Sequence, residues 1–162
     1  MSERDSLVLP TGKLPAELLA GLLARYGGHD PRVVVGPRAG EDAAVIDFGD
    51  RYLLAKTDPI TFATDEIGWY AVNVNANDIA AMGGRPRWFL ATLLLPAGQA
   101  TAAMAEGIFA QLHAACDEIE VSLIGGHTEV THGLDRPIIA GFLLGEVARE
   151  RLISKDGTRP GD

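Results

Sequence analysis

The sequence predicts an α/β fold, specifically a two-layer α+β sandwich in which a mixed β-sheet has helices on one face. Segments with helical periodicity alternate with short apolar segments typical of strands. Two of those strand segments, "AAVIDF" and "RYLLAKT", are separated only by the turn "GD". A hairpin of this kind is antiparallel, so we expect a mixed sheet and not a doubly wound parallel one. At 162 residues the chain is expected to form one domain with a sizeable core.

Three helices are expected. The first spans about residues 15–26, with a proline tolerated in its first turn and a glycine pair as its end. The second spans residues 64–82, with Thr64 as the N-cap and two acids complementing the dipole of its first turn. The third is the amphipathic segment "TAAMAEGIFAQLHAACDEI".

The remaining apolar segments predict strands. They are short, rich in β-branched or leucine residues, and bounded by glycine or proline. In chain order they read "RVVVG", "AAVIDF", "RYLLAKT", "RWFLATLLLP", "VSLIGG" and "RPIIAGFLLGEVA". The chain contains no internal repeat or low-complexity segment.

Composition excludes several classes of function. Fourteen Lys and Arg against 22 Asp and Glu give a net charge of −8, which argues against nucleic acid as a partner. The apolar runs are too short to span a membrane, and the first residues lack the apolar stretch of a signal peptide, so we expect a soluble cytoplasmic protein. Cys116 is the single cysteine, which excludes an internal disulfide.

Three aspartates adjoin apolar segments in which core residues are expected. Asp42 leads into a strand segment, Asp58 ends another, and Asp78 falls in the apolar stripe of the second helix. Each has a structural explanation by itself: Asp42 and Asp58 as turn residues that accept backbone hydrogen bonds, and Asp78 as a buried hydrogen-bonding, capping or solvated residue.

The three aspartates together suggest a metal site. If they converge, charges about 4 Å apart repel by about 4 kcal/mol at an effective dielectric of about 20. A cation would offset this repulsion, and hard oxygen ligands favour Mg²⁺ shared with nucleotide phosphates. No Walker-type phosphate loop is present, so a P-loop kinase is excluded.

Four motifs carry a family resemblance: "GEDAAVI", "KTDPI", "VNVNANDIAAMGGRP" and "GGHTEV". In their order and spacing they resemble the N-terminal domain of the AIR synthase superfamily, over about residues 12–162. This superfamily includes aminoimidazole ribonucleotide synthetase, thiamine-monophosphate kinase, selenophosphate synthetase and the hydrogenase expression/formation protein HypE. The segments "TGKLPAELL" and "GGHTEV" look most like a HypE-like or AIR-synthase-related protein.

The resemblance implies a function. It suggests the ATP- and Mg²⁺-binding N-terminal domain of an enzyme that uses ATP to activate an amide, carbamoyl or phosphate-bearing substrate. The alternative is a non-catalytic nucleotide-binding dimerisation module in hydrogenase maturation, with a maturation protein as partner. The resemblance also implies a homodimer whose two sheets form a barrel, and a C-terminal domain that this chain lacks, so we expect incomplete turnover.

The resemblance also implies site residues. Metal ligands are expected at Asp42, Asp58 and Asp78, with Glu41 binding through water. Nucleotide contacts are expected from Asn75, Gly125, Gly126, His127 and Thr128. Lys56, and Lys13 in a mobile N-terminal arm of residues 1–14, can reach phosphates, although a solvated loop lysine is the alternative for Lys13.

The sequence departs from the family pattern at Glu41, which stands where relatives often carry a second aspartate, and at His127. His127 stands where relatives often carry an aspartate, so we expect it to hydrogen-bond near phosphate or substrate, or to serve the loop structurally. Glu129 and His132 flank the "GGHT" segment, interpreted as a turn, and either contact substrate or are ordinary exposed loop residues. Cys116 lies within a helix and cannot replace the C-terminal cysteine of HypE.

Overall fold

Three α-helices and six β-strands make up the described part of the chain, residues 8–63 and 65–155 of a computed structural model. In chain order they are α1 (Ala16–Tyr26), β1 (Val33–Val35), β2 (Ala44–Asp47), β3 (Arg51–Ile60), α2 (Ile67–Ala81), β4 (Arg85–Pro96), α3 (Ala102–Glu118), β5 (Ser122–Thr131) and β6 (Ile138–Ala148). A single 3₁₀ turn, Arg149–Arg151, follows β6.

The six strands form one mixed sheet in the order β1-β2-β3-β6-β4-β5. All neighbours are antiparallel except β4 and β5, which are parallel. The parallel pair arises because α3 carries the chain from the end of β4 back to the start of β5. The predicted mixed sheet is confirmed.

Helices α2 and α3 pack on one face of this sheet. Phe89, Leu54 and Leu143 are fully buried between the sheet and these helices. The helices approach each other closely at Gly68, where a Cβ atom would lie 2.7 Å from Gln111 Cβ. The predicted two-layer arrangement of sheet and helices is therefore confirmed.

The opposite face of the sheet carries the alternate side chains of the same strands. Leu90, Phe142 and Leu144 lie on this face and remain partly or largely accessible, with Phe142 39% exposed. We call this surface the open face. Trp88 also lies on the open face and is half-buried, whereas Trp69 is exposed beside Tyr70 on α2.

Strand β3 is longer than predicted. It continues through Asp58 and Pro59 to Ile60, so Asp58 lies within the strand and not at its end. Proline is tolerated there because the pairing with β2 stops at Ala55, which leaves this part of β3 with a neighbour on one side only. The interpretation of Asp58 as the end of a strand was wrong for this reason.

Strand β5 is also longer than predicted. It was expected to end at Gly126, with "GGHT" as a turn, but it continues in register with β4 to Thr131. A bulge after Leu123 and the positive φ of Gly126, +146°, let the strand continue. A Cβ at Gly126 would lie within 1.9 Å of the Ala91 carbonyl oxygen, so only glycine fits.

The helix ends differ from the predictions in detail. Helix α2 begins at Ile67, and Thr64, the expected N-cap, lies outside the described residues. Helix α3 is capped by Thr101, whose side chain accepts a hydrogen bond from Met104 N at 3.1 Å. Helix α1 has no buried residue. In residues 8–63 and 65–155, no helix is long and apolar enough to cross a membrane.

Candidate functional site

Two of the three predicted aspartates meet at one lysine. Lys56 Nζ lies 3.1 Å from Asp58 Oδ2 and 2.6 Å from Asp78 Oδ2. The Lys56 side chain is only 15% exposed, whereas the two carboxylates are 35% and 28% exposed. The result is a partly buried ion cluster, which we call the Lys56 triad, with its carboxylates open to solvent.

The fold explains why these residues meet. Lys56 and Asp58 are two residues apart on β3, so their side chains lie on the same face of the sheet. That face is the one covered by α2, and Asp78 lies in the last part of α2. Ile79 beside it is fully buried, whereas Asp78 lies at the edge of the helix's buried side. The aspartate in the apolar stripe therefore has a charged partner, as an incompletely solvated acid requires.

The electrostatics keep Lys56 charged. Burial lowers the pKa of the Lys56 ammonium, but hydrogen bonds and charge attraction from Asp78 and Asp58 outweigh burial and raise its pKa above the ordinary value. The triad thus contains one positive and two negative groups and has an excess negative charge available to a cation.

Asp42 lies near the triad but has another partner. Its Oδ2 is 3.0 Å from Lys155 Nζ, and the same ammonium donates to the carbonyl oxygen of Gly40. Glu41 next to it pairs with Arg38 at 3.0 Å. Among the described residues, no three acidic, histidine or cysteine side chains are close enough together to hold a metal ion. The predicted three-aspartate cluster is thus two aspartates around Lys56, with the third aspartate in a separate ion pair.

Two cavities adjoin these residues. A cleft of about 750 Å³ is lined by Asp58, by Lys13 and by the apolar side chains of Ile60, Phe62 and Tyr70. A second cavity of about 370 Å³ has both Asp42 and Glu41 in its wall together with Lys56. Every predicted metal ligand except Asp78 therefore lines one of these two cavities, and Asp78 is joined to them through Lys56.

Asn75 has a structural position. It is fully buried, and its Nδ2 donates to the carbonyl oxygens of Ala71 at 2.8 Å and Asp58 at 3.4 Å. Its Oδ1 is buried without a hydrogen-bond partner. No part of Asn75 is accessible, and its amide links the backbone of Asp58 to α2.

The "GGHT" residues lie far from the triad within one chain. Asp58 pairs with Gly141, Gly141 with Ala91, and Ala91 with Gly126, which makes one row across four strands. Three strand spacings separate Asp58 from Gly126 by about 14 Å. Strand β5 is the edge of the sheet, and all its residues from Ile124 to Val130 are exposed.

His127 and Glu129 form a pair on this edge. Two residues apart on β5, they lie on the same face, and His127 Nε2 is 3.0 Å from Glu129 Oε2. Their partners across the strand, Thr92 and Leu94, place them on the open face. Thr128 lies between them, exposed, and its side chain is on the opposite face.

Sequence reasoning missed several residues at the site. Phe62 and Tyr70 line the cleft with Asp58, and Lys155 pairs with Asp42. Phe62 is 76% exposed. The signal available in the sequence was an aromatic residue three positions after "TDP". Lys155 carried no such signal, since the sequence does not show that residues 152–155 pass beside the "GEDAA" loop.

The fold and these motifs can be compared with known proteins. The family described as AIR synthase related protein, N-terminal domain, matches residues 40–147, about two thirds of the chain. The chain belongs to the AIR synthase-related family. The matched range contains the Lys56 triad, Asp42 and all of β5. The family resemblance inferred from the motifs is confirmed.

Three curated relatives have comparable similarity. Thiamine-monophosphate kinase from Aquifex aeolicus is 30% identical over 131 residues, 76% of this chain and 41% of the relative. A putative hydrogenase expression/formation protein from Methanocaldococcus jannaschii is 32% identical over 133 residues, which are 79% of this chain and 39% of the relative. Selenide, water dikinase from Geobacter metallireducens is 31% identical over 150 residues, which are 90% of this chain and 42% of the relative. The chain spans about two fifths of the length of each of these relatives.

Solved structures share the fold. AaThiL complexed with AMPPCP and TMP superposes with a TM-score of 0.68 at 25% identity, covering 88% of this chain and 43% of that one. Hydrogenase maturation protein HypE in complex with ATP superposes with a TM-score of 0.61 at 26% identity, covering 93% of this chain and 45% of that one. A HypE-HypF complex superposes with a TM-score of 0.64 at 26% identity, covering 75% of this chain and 41% of that one. These likenesses confirm the predicted AIR synthase-like fold class.

Proposed function

We propose that this chain is the ATP- and Mg²⁺-binding N-terminal domain of an AIR synthase-related enzyme. The enzyme would use ATP to activate an oxygen of an amide, carbamoyl or phosphate-bearing substrate. Two structural relatives were solved with ATP or AMPPCP, which supports nucleotide binding by this chain. The acceptor substrate is the part of the proposal that the relatives leave open, because their names point to different acceptors.

The observation that carries this proposal is the Lys56 triad. Asp58 and Asp78 come from separate motifs, on a strand and a helix, and their carboxylates are held around one ammonium. Asp58 opens onto the 750 Å³ cleft, whose volume is in the range of small-molecule sites. Two acids and a lysine beside a cleft of this size are the groups that a metal-bound polyphosphate requires.

The donor set fits Mg²⁺. This ion is usually held by one or two carboxylates together with water and substrate phosphates, so two aspartates suffice without a closed cage. Asp58 and Asp78 would hold it, with Asp42 and Glu41 reaching it from the neighbouring cavity, directly or through water. When bound, Mg²⁺ would neutralise phosphate charge.

The chain's own residues would position the phosphates. Lys56 in the triad and Lys13 in the wall of the cleft would supply mobile positive charges to phosphate oxygens. Phe62 and Tyr70 would cover apolar parts of the ligand. Phosphoryl transfer depends mainly on such positioning and charge stabilisation, so no nucleophile from the protein is needed.

Calorimetric titration of ATP tests the proposal. With Mg²⁺ present, we expect the wild-type chain to bind ATP more tightly than in EDTA. Asp78→Asn should lose most of this metal-dependent gain, because it removes one of two carboxylate ligands. Asp117→Asn is the matched control, since Asp117 is an exposed aspartate on α3 that pairs with His113. Metal-independent ATP binding of equal strength in wild type and Asp78→Asn would refute the site assignment.

We also propose a homodimer in which the two open faces meet. A second copy would cover the open face and lie next to the exposed edge strand β5. The partly exposed apolar open face and the unpaired edge of β5 favour such pairing, because both are aggregation hazards when uncovered. Gly125, Gly126 and His127 would then lie at the interface between the two copies.

Light scattering tests the dimer. Phe142→Glu places a charge on the open face and should give a monomer, whereas Phe109→Glu, on the exposed side of α3, should leave the mass unchanged. Both phenylalanines are comparably accessible, at 39% and 45%. A wild-type chain that is monomeric at every concentration tested would exclude the homodimer.

The second candidate function is a nucleotide-binding dimerisation module in hydrogenase maturation. The structural likeness to a HypE-HypF complex favours a protein partner of this kind. In that case ATP binding and dimerisation would persist, and no phosphoryl transfer would be detected when the C-terminal domain implied by the family resemblance is supplied. Release of ADP or AMP in its presence would favour the enzyme instead.

A further inference from the structure

The Lys56 ammonium lies where a divalent cation would bind. It contacts Asp58 Oδ2 at 3.1 Å and Asp78 Oδ2 at 2.6 Å, so these oxygens are no more than 5.7 Å apart, the sum of the two distances. Mg²⁺ binds oxygen at about 2.0–2.1 Å and would draw both atoms to one centre. Since the ammonium already lies between the two oxygens, the ion and the ammonium exclude each other.

We propose that Lys56 is a built-in counter-ion that competes with the divalent cation for Asp58 and Asp78. Nucleotide phosphates give the ammonium another anion to contact, so nucleotide and cation bind together and each weakly alone. This inference rests on the proposed function, because it concerns the same cation at the same two carboxylates.

Lysine suits such an exchange. The sequence has three lysines, and all three are at the predicted site: Lys56 in the triad, Lys13 lining the cleft with Asp58, and Lys155 against Asp42. The other eleven Lys and Arg residues are arginines. An ammonium is a compact charge on a flexible stem that can change partners, whereas a planar guanidinium is bound in a fixed geometry.

The partial burial of Lys56 makes the competition effective. Its side chain is 15% exposed, so water screens its attraction to the two carboxylates less than at a fully exposed ion pair. The carboxylates are more exposed than the lysine, which leaves a path by which a cation can reach them. Removing the ammonium should therefore create a better cation site and a worse nucleotide site.

Binding of Mn²⁺ alone tests this inference, with free Mn²⁺ measured by electron paramagnetic resonance. In the absence of nucleotide, Lys56→Gln should bind Mn²⁺ about tenfold more tightly than wild type, because no ammonium has to be displaced. Lys56→Arg keeps the charge and should bind Mn²⁺ as weakly as wild type. Arg136→Gln removes an equal charge from an exposed pair with Asp135 and serves as the control.

Folding of the variant gives a second readout. Lys56→Gln leaves two neighbouring carboxylates unneutralised, so its melting temperature should fall in EDTA and recover with Mn²⁺. If the variant is unfolded in EDTA, recovery of the native circular dichroism on adding Mn²⁺ supports the inference. The inference is overturned if the unfolded variant does not recover at any Mn²⁺ concentration. It is also overturned if folded Lys56→Gln binds Mn²⁺ no more tightly than wild type.

These outcomes separate the inference from the proposed function. If Asp78→Asn abolishes metal-dependent ATP binding while Lys56→Gln does not gain Mn²⁺ affinity, the nucleotide site stands and the counter-ion role fails. If Lys56→Gln gains Mn²⁺ affinity but the wild-type chain does not bind ATP, the counter-ion role stands and the proposed function fails.

Discussion

Gly141→Ala should destabilise the protein through the residue that holds Asp58. Gly141 pairs with Asp58 across β3 and β6 and faces α2. An added Cβ would lie 2.5 Å from Asn75 Nδ2 and 2.8 Å from Phe89 Cζ, both far inside normal contact. Asn75 and Phe89 are fully buried and have no free space to move into.

The magnitude follows from three contributions. Overpacking of a close-packed core costs about 1–3 kcal/mol. Displacing Asn75 weakens its hydrogen bond to Asp58 O, a loss of about 0.5–1 kcal/mol. Alanine also lowers the backbone entropy of the unfolded chain, which stabilises the folded protein by about 0.5–1 kcal/mol. We expect a net loss of about 2 kcal/mol, and hence a melting temperature lower by about 4–8 °C for a chain of this size.

Thermal unfolding followed by circular dichroism measures this change. Gly107→Ala is the control of opposite sign. Gly107 lies on the exposed side of α3, and an added Cβ would have no atom from another part of the chain within 4 Å. Alanine should therefore raise stability by about 0.5–1 kcal/mol. The double variant Asn75→Ala with Gly141→Ala should lose less than the sum of the single variants, because the nearest clash is gone. Gly141→Ala with wild-type stability would show that the packing around Asn75 does not constrain the strand.

Two further predictions concern residues outside the site. Thr101→Ala should cost about 1 kcal/mol, since it removes the side-chain oxygen that caps α3, while Thr101→Ser should retain most stability; urea unfolding measures both. Burial raises the pKa of the Cys116 thiol to about 11, so the unfolded chain loses this proton at lower pH than the folded one. Stability should therefore fall as pH rises from about 9 to 11, and Cys116→Ala should show a smaller fall over that range; unfolding at a series of pH values checks this sign.

Much of the fold could be predicted because the chain's local signals agree with its global structure. The hairpin of β2 and β3 was visible in a short turn between two apolar runs, and α3 was visible in its amphipathic periodicity. The ends of β3 and β5 could not be predicted in this way. Pro59 and the Gly125-Gly126 pair normally interrupt strands, and only their neighbours in the sheet show why they do not interrupt these two.

The need of Asp78 for a partner was predicted, but the identity of that partner was not. An acid within an apolar stripe requires a partner, and this requirement correctly marked Asp78. The identity of the partner depends on β3 lying under α2, which local periodicity does not specify. For Asn75 the sequence position in the "ND" motif suggested a ligand contact, but the sequence did not show that its side chain is fully buried and bonded to the backbone of Asp58.

The order of strands in the sheet has a consequence for folding during synthesis. Strand β3 has β6 as its main partner, with Ile60 opposite Ile139 and Arg51 opposite Ala148. Most of the chain must leave the ribosome before β3 can complete its backbone hydrogen bonds on that side. The nascent chain therefore exposes the β2–β3 hairpin and β4 with open edges for a considerable time, and we expect this chain to depend on chaperones more than a helical protein of equal length.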